Sequence, residues 1–208
     1  MIVGFILEMI ARIFIGGYAR WIGCRPTDTQ RIYFANHSSH ADLMAIWLAL
    51  PAHLRKRVHP VAAYDYWNKS AFRRHIVVEG LNGVFVKRSR EEGSTEDPLQ
   101  PLYDTLAKGD SLILFPEGTR YYDDTPQPFK SGIYHLAQRF PEVELVPVYL
   151  ENMRRSLPKG EYWPIPLVCT ARFGTPIHVL ASEDKDAFLE RARQSVIDAR
   201  RTPQTSSH

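Results

Sequence analysis

Residues 31–51 read RIYFANHSSHADLMAIWLALP. Arg31–Asn36 has the composition of a short strand, and Ser39–Leu50 that of a helix stopped by Pro51. Between them lies a polar turn, Asn36-His37-Ser38-Ser39-His40-Ala41-Asp42. A strand that enters a helix through a short polar turn is the first half of a βα unit.

The same alternation continues downstream. Val58–Ala63 and Gly83–Lys87 read as strands, and Leu99–Lys108 as a helix ended by Gly109. Ser111–Phe115 (SLILF) is an uninterrupted apolar run before Pro116, the pattern of a strand buried on both faces. Ser131–Arg139 reads as a helix, Leu145–Leu150 and Leu167–Phe173 as strands, and Glu183–Arg200 as a C-terminal helix. The polar segment 89–98 reads as an exposed loop. The expected architecture is a single α/β domain over 23–201, with a mostly parallel central sheet flanked by helices. A polar tail, 202–208, follows it.

The 208 residues suffice for one such domain, and 44% hydrophobic with 24% charged residues excludes a disordered chain. Cys24 and Cys169 are too few and too far apart for a disulfide scaffold or a C-x-x-C metal site, which favours a reducing compartment. The net charge of +3 is unevenly placed. Residues 1–90 carry 13 Lys/Arg against 5 Asp/Glu, and the remainder carries 13 against 18. A basic first half suits nucleic acid, a phosphorylated metabolite or a membrane surface. Nucleic acid is disfavoured, because Arg55-Lys56-Arg57 and Arg73-Arg74 lack interleaved stacking aromatics.

Residues 1–22 are strongly apolar, but Glu8, Arg12 and Arg20 interrupt them. The uncharged runs are too short for a spanning helix, which needs about 20 residues. Gly4, Glu8, Arg12, Gly16 and Arg20 recur every fourth residue, one narrow stripe on a helix, with Phe5, Ile6, Met9, Ile10 and Phe14 elsewhere around it. The expected element is an amphipathic N-terminal helix suited to a bilayer interface. A helix packed on the domain core would carry the same pattern.

Chemistry concentrates in two places. If His37 lies in the turn and Asp42 in the first turn of the helix, the carboxylate can fold back onto the imidazole. That contact fixes the tautomer and leaves the other nitrogen as a general base. The bland alternative is a loop histidine and a helix-dipole aspartate. His37, His40 and Asp42 could also be read as metal ligands, but no second ligand cluster accompanies them, so no metal is expected. The other place is Phe115-Pro116-Glu117-Gly118-Thr119-Arg120, where Gly118 permits close approach to a ligand and Arg120 can pair with phosphate. Gly83-Val84-Phe85-Val86-Lys87-Arg88 delivers two further cations at a strand end. The chain has no G-x-G-x-x-G, P-loop or G-x-S-x-G.

Taken together, N-H-x₄-D, G-V-F-V-K-R and F-P-E-G-T-R resemble the blocks of the glycerolipid acyltransferase family, of the lysophosphatidate (1-acylglycerol-3-phosphate) acyltransferase type. Pro128-Phe129-Lys130-Ser131-Gly132, Val146-Pro147-Val148 and Gly174-Thr175-Pro176-Ile177 are similar to further family blocks. The resemblance implies an O-acyltransferase. His37 would deprotonate an acceptor hydroxyl, Asp42 would orient His37, and Gly83, Arg88, Glu117, Gly118, Thr119 and Arg120 would bind the acceptor. It implies acyl-CoA or acyl carrier protein as donor, a lysophospholipid as acceptor, phosphatidic acid as product, and no metal or redox cofactor. With the apolar N-terminus it implies peripheral or monotopic attachment to the cytoplasmic face of a membrane. Three departures stand out. Asn82 occupies a place where the family often has glycine, Tyr121 replaces a frequent serine, and Ala62-Ala63-Tyr64-Asp65-Tyr66-Trp67 lacks the family's lysine. These leave open another lysolipid, or an alcohol or amine, as acceptor.

Overall fold

The computed structural model describes residues 18–39, 42–67, 74–87, 97–121, 123, 125–151 and 169–201. Among these residues seven strands form one sheet: β1 (Tyr18–Trp21), β2 (Arg31–Ala35), β3 (Val58–Ala63), β4 (Val84–Val86), β5 (Ser111–Leu114), β6 (Glu144–Glu151) and β7 (Thr170–Phe173). The spatial order is β1-β7-β6-β2-β5-β3-β4. All pairings are parallel except β6 with β7, so β1 and β7 run against the other five strands.

Among the described residues, four helices of eight or more residues cover the sheet: α1 (Asp42–Ala49), α2 (Gln100–Ala107), α3 (Gly132–Arg139) and α4 (Lys185–Asp198). Strand alternation sorts the core into two layers. Ile32 and Phe34 of β2, Leu112 and Leu114 of β5 and Leu145 of β6 pack against α2, α3 and α4. Tyr33, Ala35, Ile113, Val146 and Val148 point the other way, toward Ala45, Ile46 and Ala49 of α1. Burial on both faces explains why these strands read as continuous apolar runs. The α4 start is capped by Asp184, whose side chain accepts from the Ala187 N–H at 2.8 Å.

One expectation needs correction. Tyr18–Trp21, counted in the N-terminal helix, is edge strand β1, in register with Thr170–Phe173. Trp21 stacks on Phe173 with ring centroids 3.9 Å apart. The remaining residues of that expected helix, 1–17, lie outside the described residues, as does the tail 202–208.

The basic first half is also less available than its charge suggests. Arg31 pairs with Glu144 at 2.7 Å. Arg55 is buried and donates to the Leu50 and Leu48 carbonyls at the end of α1, and Arg57 donates to the Gly109 carbonyl. Arg31 and Arg55 are taken up by the fold, while Arg57 stays largely exposed.

Candidate active site

The strands β2, β5, β3 and β4 are parallel, so their C-terminal ends open on one edge, where α/β proteins place their sites. Phe34 pairs with Leu114, and His37 and Glu117 each lie three residues beyond that pair. Adjacency of β2 and β5 therefore brings the two motifs together.

Asn36 makes the exit from β2 possible. Its side-chain amide accepts from the Leu150 N–H at 2.8 Å and donates to the Leu150 carbonyl at 3.2 Å. Two side-chain bonds replace the ladder, and the backbone leaves the sheet at His37. Sequence reading quoted Asn36 but gave it no role.

The following turn wraps around one carboxylate oxygen. Asp42 Oδ2 accepts from His37 Nδ1 at 2.9 Å and from the Ser38 and Ser39 N–H groups at 2.6 and 2.8 Å. Asp42 is 0% exposed, and its other oxygen, Oδ1, has no hydrogen-bond partner among the described residues. An ionised carboxylate only accepts, so Nδ1 carries the hydrogen and Nε2 keeps the lone pair. The imidazole lies flat on Phe115, centroids 4.2 Å apart at 17°. The His37–Asp42 contact expected from the sequence is therefore formed. His40, the third member of the metal reading, lies outside the described residues.

Glu117 has a different place from the acceptor-binding one implied by its motif. It is 3% exposed, and its two oxygens accept from the His37 N–H at 2.7 Å and the Gln127 N–H at 3.0 Å. Burial pushes its carboxyl above the ordinary range, against the two N–H donors that pull it down. The Tyr121 N–H adds a second tie, to the His37 carbonyl at 2.9 Å. The two carboxylate bonds tie Glu117 to the main chain of the His37 turn and of Gln127. In Glu117→Gln an NH₂ group must face one of these two N–H donors, an unmet bond worth about 1–3 kcal/mol. We expect Tm about 2–12 °C lower, at roughly 2–4 °C per kcal/mol for a chain of this size. An unchanged melting curve would show that the two bonds carry no weight.

The two motifs line a cavity of about 150 Å³. His37, Phe115, Gly118 and Arg120 form one side, and Ala62, Ala63, Trp67 and Val86 form the apolar other. Gly118 has φ +71°, a left-handed conformation that suits glycine. Thr119 is exposed beyond this lining. Gly83 is also outside it. A Cβ there would stand 2.5 Å from Val77 Cγ1, and its N–H donates to the Val77 carbonyl, so the chain packs closely there at the entry to β4. Asn82, the departure before it, has φ +56°, which asparagine tolerates better than most residues. The substitution thus keeps the backbone conformation a glycine would supply. Arg88 lies outside the described residues.

Fold and site together define an α/β protein with a histidine–carboxylate pair and an arginine at the C-terminal edge of a mostly parallel sheet. The chain belongs to the acyltransferase family, whose model (Acyltransferase) matches residues 24–151. It is 29% identical over 174 residues to a 1-acyl-sn-glycerol-3-phosphate acyltransferase of Limnanthes douglasii, covering 79% of this chain and 59% of that protein. It is 27% identical over 176 residues to the human 1-acyl-sn-glycerol-3-phosphate acyltransferase alpha, covering 83% and 59%. The chain thus spans about six-tenths of these relatives. Among solved structures, the 1-acyl-sn-glycerophosphate (LPA) acyltransferase PlsC of Thermotoga maritima is similar in fold. The TM-score is 0.70 at 21% identity, over 99% of this chain and 82% of that one.

Proposed function

We propose that this chain transfers an acyl group from a thioester, acyl-CoA or acyl carrier protein, to the hydroxyl of a lysophospholipid. The favoured acceptor is 1-acyl-sn-glycerol-3-phosphate, giving phosphatidic acid. The observation that carries the reading is His37, with Nδ1 tied to buried Asp42, lining one cavity with Arg120. The names of the relatives, which specify 1-acyl-sn-glycerol-3-phosphate, support the acceptor.

A hydroxyl is a poor nucleophile until its proton is removed. His37 Nε2 takes that proton as the oxygen attacks the thioester carbonyl. The C–S bond breaks as the ester C–O bond is completed, and the imidazolium returns the proton to the departing thiolate. Asp42 stabilises the imidazolium and holds the reactive tautomer. Arg120 meets the anionic part of a substrate. This chemistry needs no metal or redox cofactor.

The test is thiol release from acyl-CoA with a panel of acceptors. Release dependent on lysophosphatidate is expected. The apolar wall of Ala62, Ala63 and Trp67 favours a second reading, acyl transfer to a neutral alcohol. Release with an uncharged acceptor but not with lysophosphatidate would select it. No release with any donor or acceptor would leave a lipid-binding module.

The lipid substrates favour peripheral attachment to the cytoplasmic face of a membrane through residues 1–17. Among the described residues no helix is long and apolar enough to cross one. A deletion should stop before Tyr18, since β1 belongs to the sheet. We expect the chain lacking residues 1–17 to lose most sedimentation with anionic vesicles while keeping its far-UV spectrum. Equal sedimentation of both chains would count against this segment as the anchor.

A further inference from the structure

Lys130 belongs to the P-F-K-S-G stretch, which the acyl-transfer chemistry leaves without a role. Its main chain is held on both sides. Phe129 is buried and meets Phe34 edge to face, centroids 6.2 Å apart, and the Lys130 N–H donates to the Pro116 carbonyl at 2.9 Å. The stem then lies across Gly118. A Cβ on Gly118 would stand 2.9, 2.7 and 2.8 Å from Lys130 Cδ, Cε and Nζ. A side chain at Gly118 would have to displace the lysine stem, and its φ of +71° would strain it in any case.

Lys130 is exposed, and its stem runs along Gly118 at the border of the cavity. Its ammonium has no hydrogen bond or ion pair among the described residues, and it reaches Gly118, which lines the cavity with His37 and Arg120. An ammonium held against Gly118, at the border of a cavity that Arg120 also lines, suits a phosphate group, for which lysine serves as a point charge.

We propose that Lys130 is a phosphate-binding residue of this site, acting with Arg120 on an anionic substrate group. The inference rests on the acyl-transfer reading. Two substrates of that reading carry phosphate, the lysophosphatidate head group and CoA, and the assay separates them.

Steady-state kinetics of the full chain, Lys130→Ala and Lys130→Arg are measured with each substrate varied in turn. In Lys130→Ala the KM for the phosphate-bearing substrate should rise roughly tenfold, the equivalent of about 1.4 kcal/mol. The change in kcat should be much smaller, Lys130→Arg should restore most of the KM, and the difference should shrink at high salt. A rise for lysophosphatidate identifies its head group. A rise for acyl-CoA that disappears with a phosphate-free acyl-N-acetylcysteamine donor identifies the donor. Unchanged KM for both substrates, or a fall in kcat alone, overturns the proposal while leaving acyl transfer intact. Calorimetric titration of wild type and Lys130→Ala with lysophosphatidate and with CoA reads the same contact without turnover. Absence of thiol release in wild type would sink the acyl-transfer reading. Weaker binding to Lys130→Ala would still support the phosphate contact, and equal binding, or no binding to wild type, would overturn it.

Discussion

His37→Ala is expected to lower kcat by about 10²–10⁴-fold, the usual contribution of a positioned general base. Folding should change little. The contacts that hold the His37 turn use its main chain: its N–H donates to Glu117 and its carbonyl accepts from Tyr121. The side chain itself is 21% exposed and contributes the bond to Asp42 and the stack on Phe115. Removing it leaves the Ser38 and Ser39 N–H bonds to Asp42 in place. The loss should therefore fall on kcat, with substrate KM values near those of the wild type. Stopped-time thiol release and a melting curve on the same preparation check both parts. Near-wild-type turnover by a folded His37→Ala protein would sink the base mechanism, and so would loss of folding with no separate loss of rate.

The strands of the core were legible because burial on two faces leaves a run with almost no polar residues. Ser111–Leu114 and Arg31–Ala35 are strands where their sequence pattern put them. Tyr18–Trp21 was not legible. It continues a stretch whose charges recur every fourth residue, and local periodicity argues for a helix there. Its strand conformation comes from a partner about 150 residues away in the chain, β7, and a local pattern carries no trace of that pairing.

The site divides the same way. His37 and Asp42 are five residues apart, so short-range geometry sufficed to bring them together. Glu117 illustrates the other case. Its motif suggested contact with substrate, but its partners, the His37 and Gln127 N–H groups, are set by the adjacency of β2 and β5. Sequence spacing does not encode which main-chain donors a buried carboxylate will meet. Charge counting is blind to such partners in the same way. Arg31, Arg55 and Arg57 swell the basic half, yet each is engaged by carbonyls or carboxylates of the fold.

Asp42→Asn separates the charge of the carboxylate from its geometry. Three donors converge on Oδ2, while Oδ1 is buried without a partner among the described residues. An asparagine must therefore set its carbonyl oxygen where Oδ2 stands, because an NH₂ group there would confront three hydrogens. The His37 tautomer is then kept, and the NH₂ falls at the buried Oδ1 position with no acceptor. The stability cost is about 1–3 kcal/mol, the desolvation of one unpaired polar group. The catalytic cost is different in kind. A neutral oxygen still orients the ring but no longer stabilises the imidazolium formed when the hydroxyl proton is taken. Charge-assisted bonds are roughly twice as strong as neutral ones, so kcat should fall about 10- to 100-fold, less than in His37→Ala. Asp42→Ala removes all three bonds and should lose more stability than Asp42→Asn. Kinetics and thermal melts of the three variants test the order. A wild-type kcat in Asp42→Asn would show that the charge has no part in the reaction. A loss as deep as that of His37→Ala would show that the tautomer, and not the charge alone, depends on the second carboxylate oxygen.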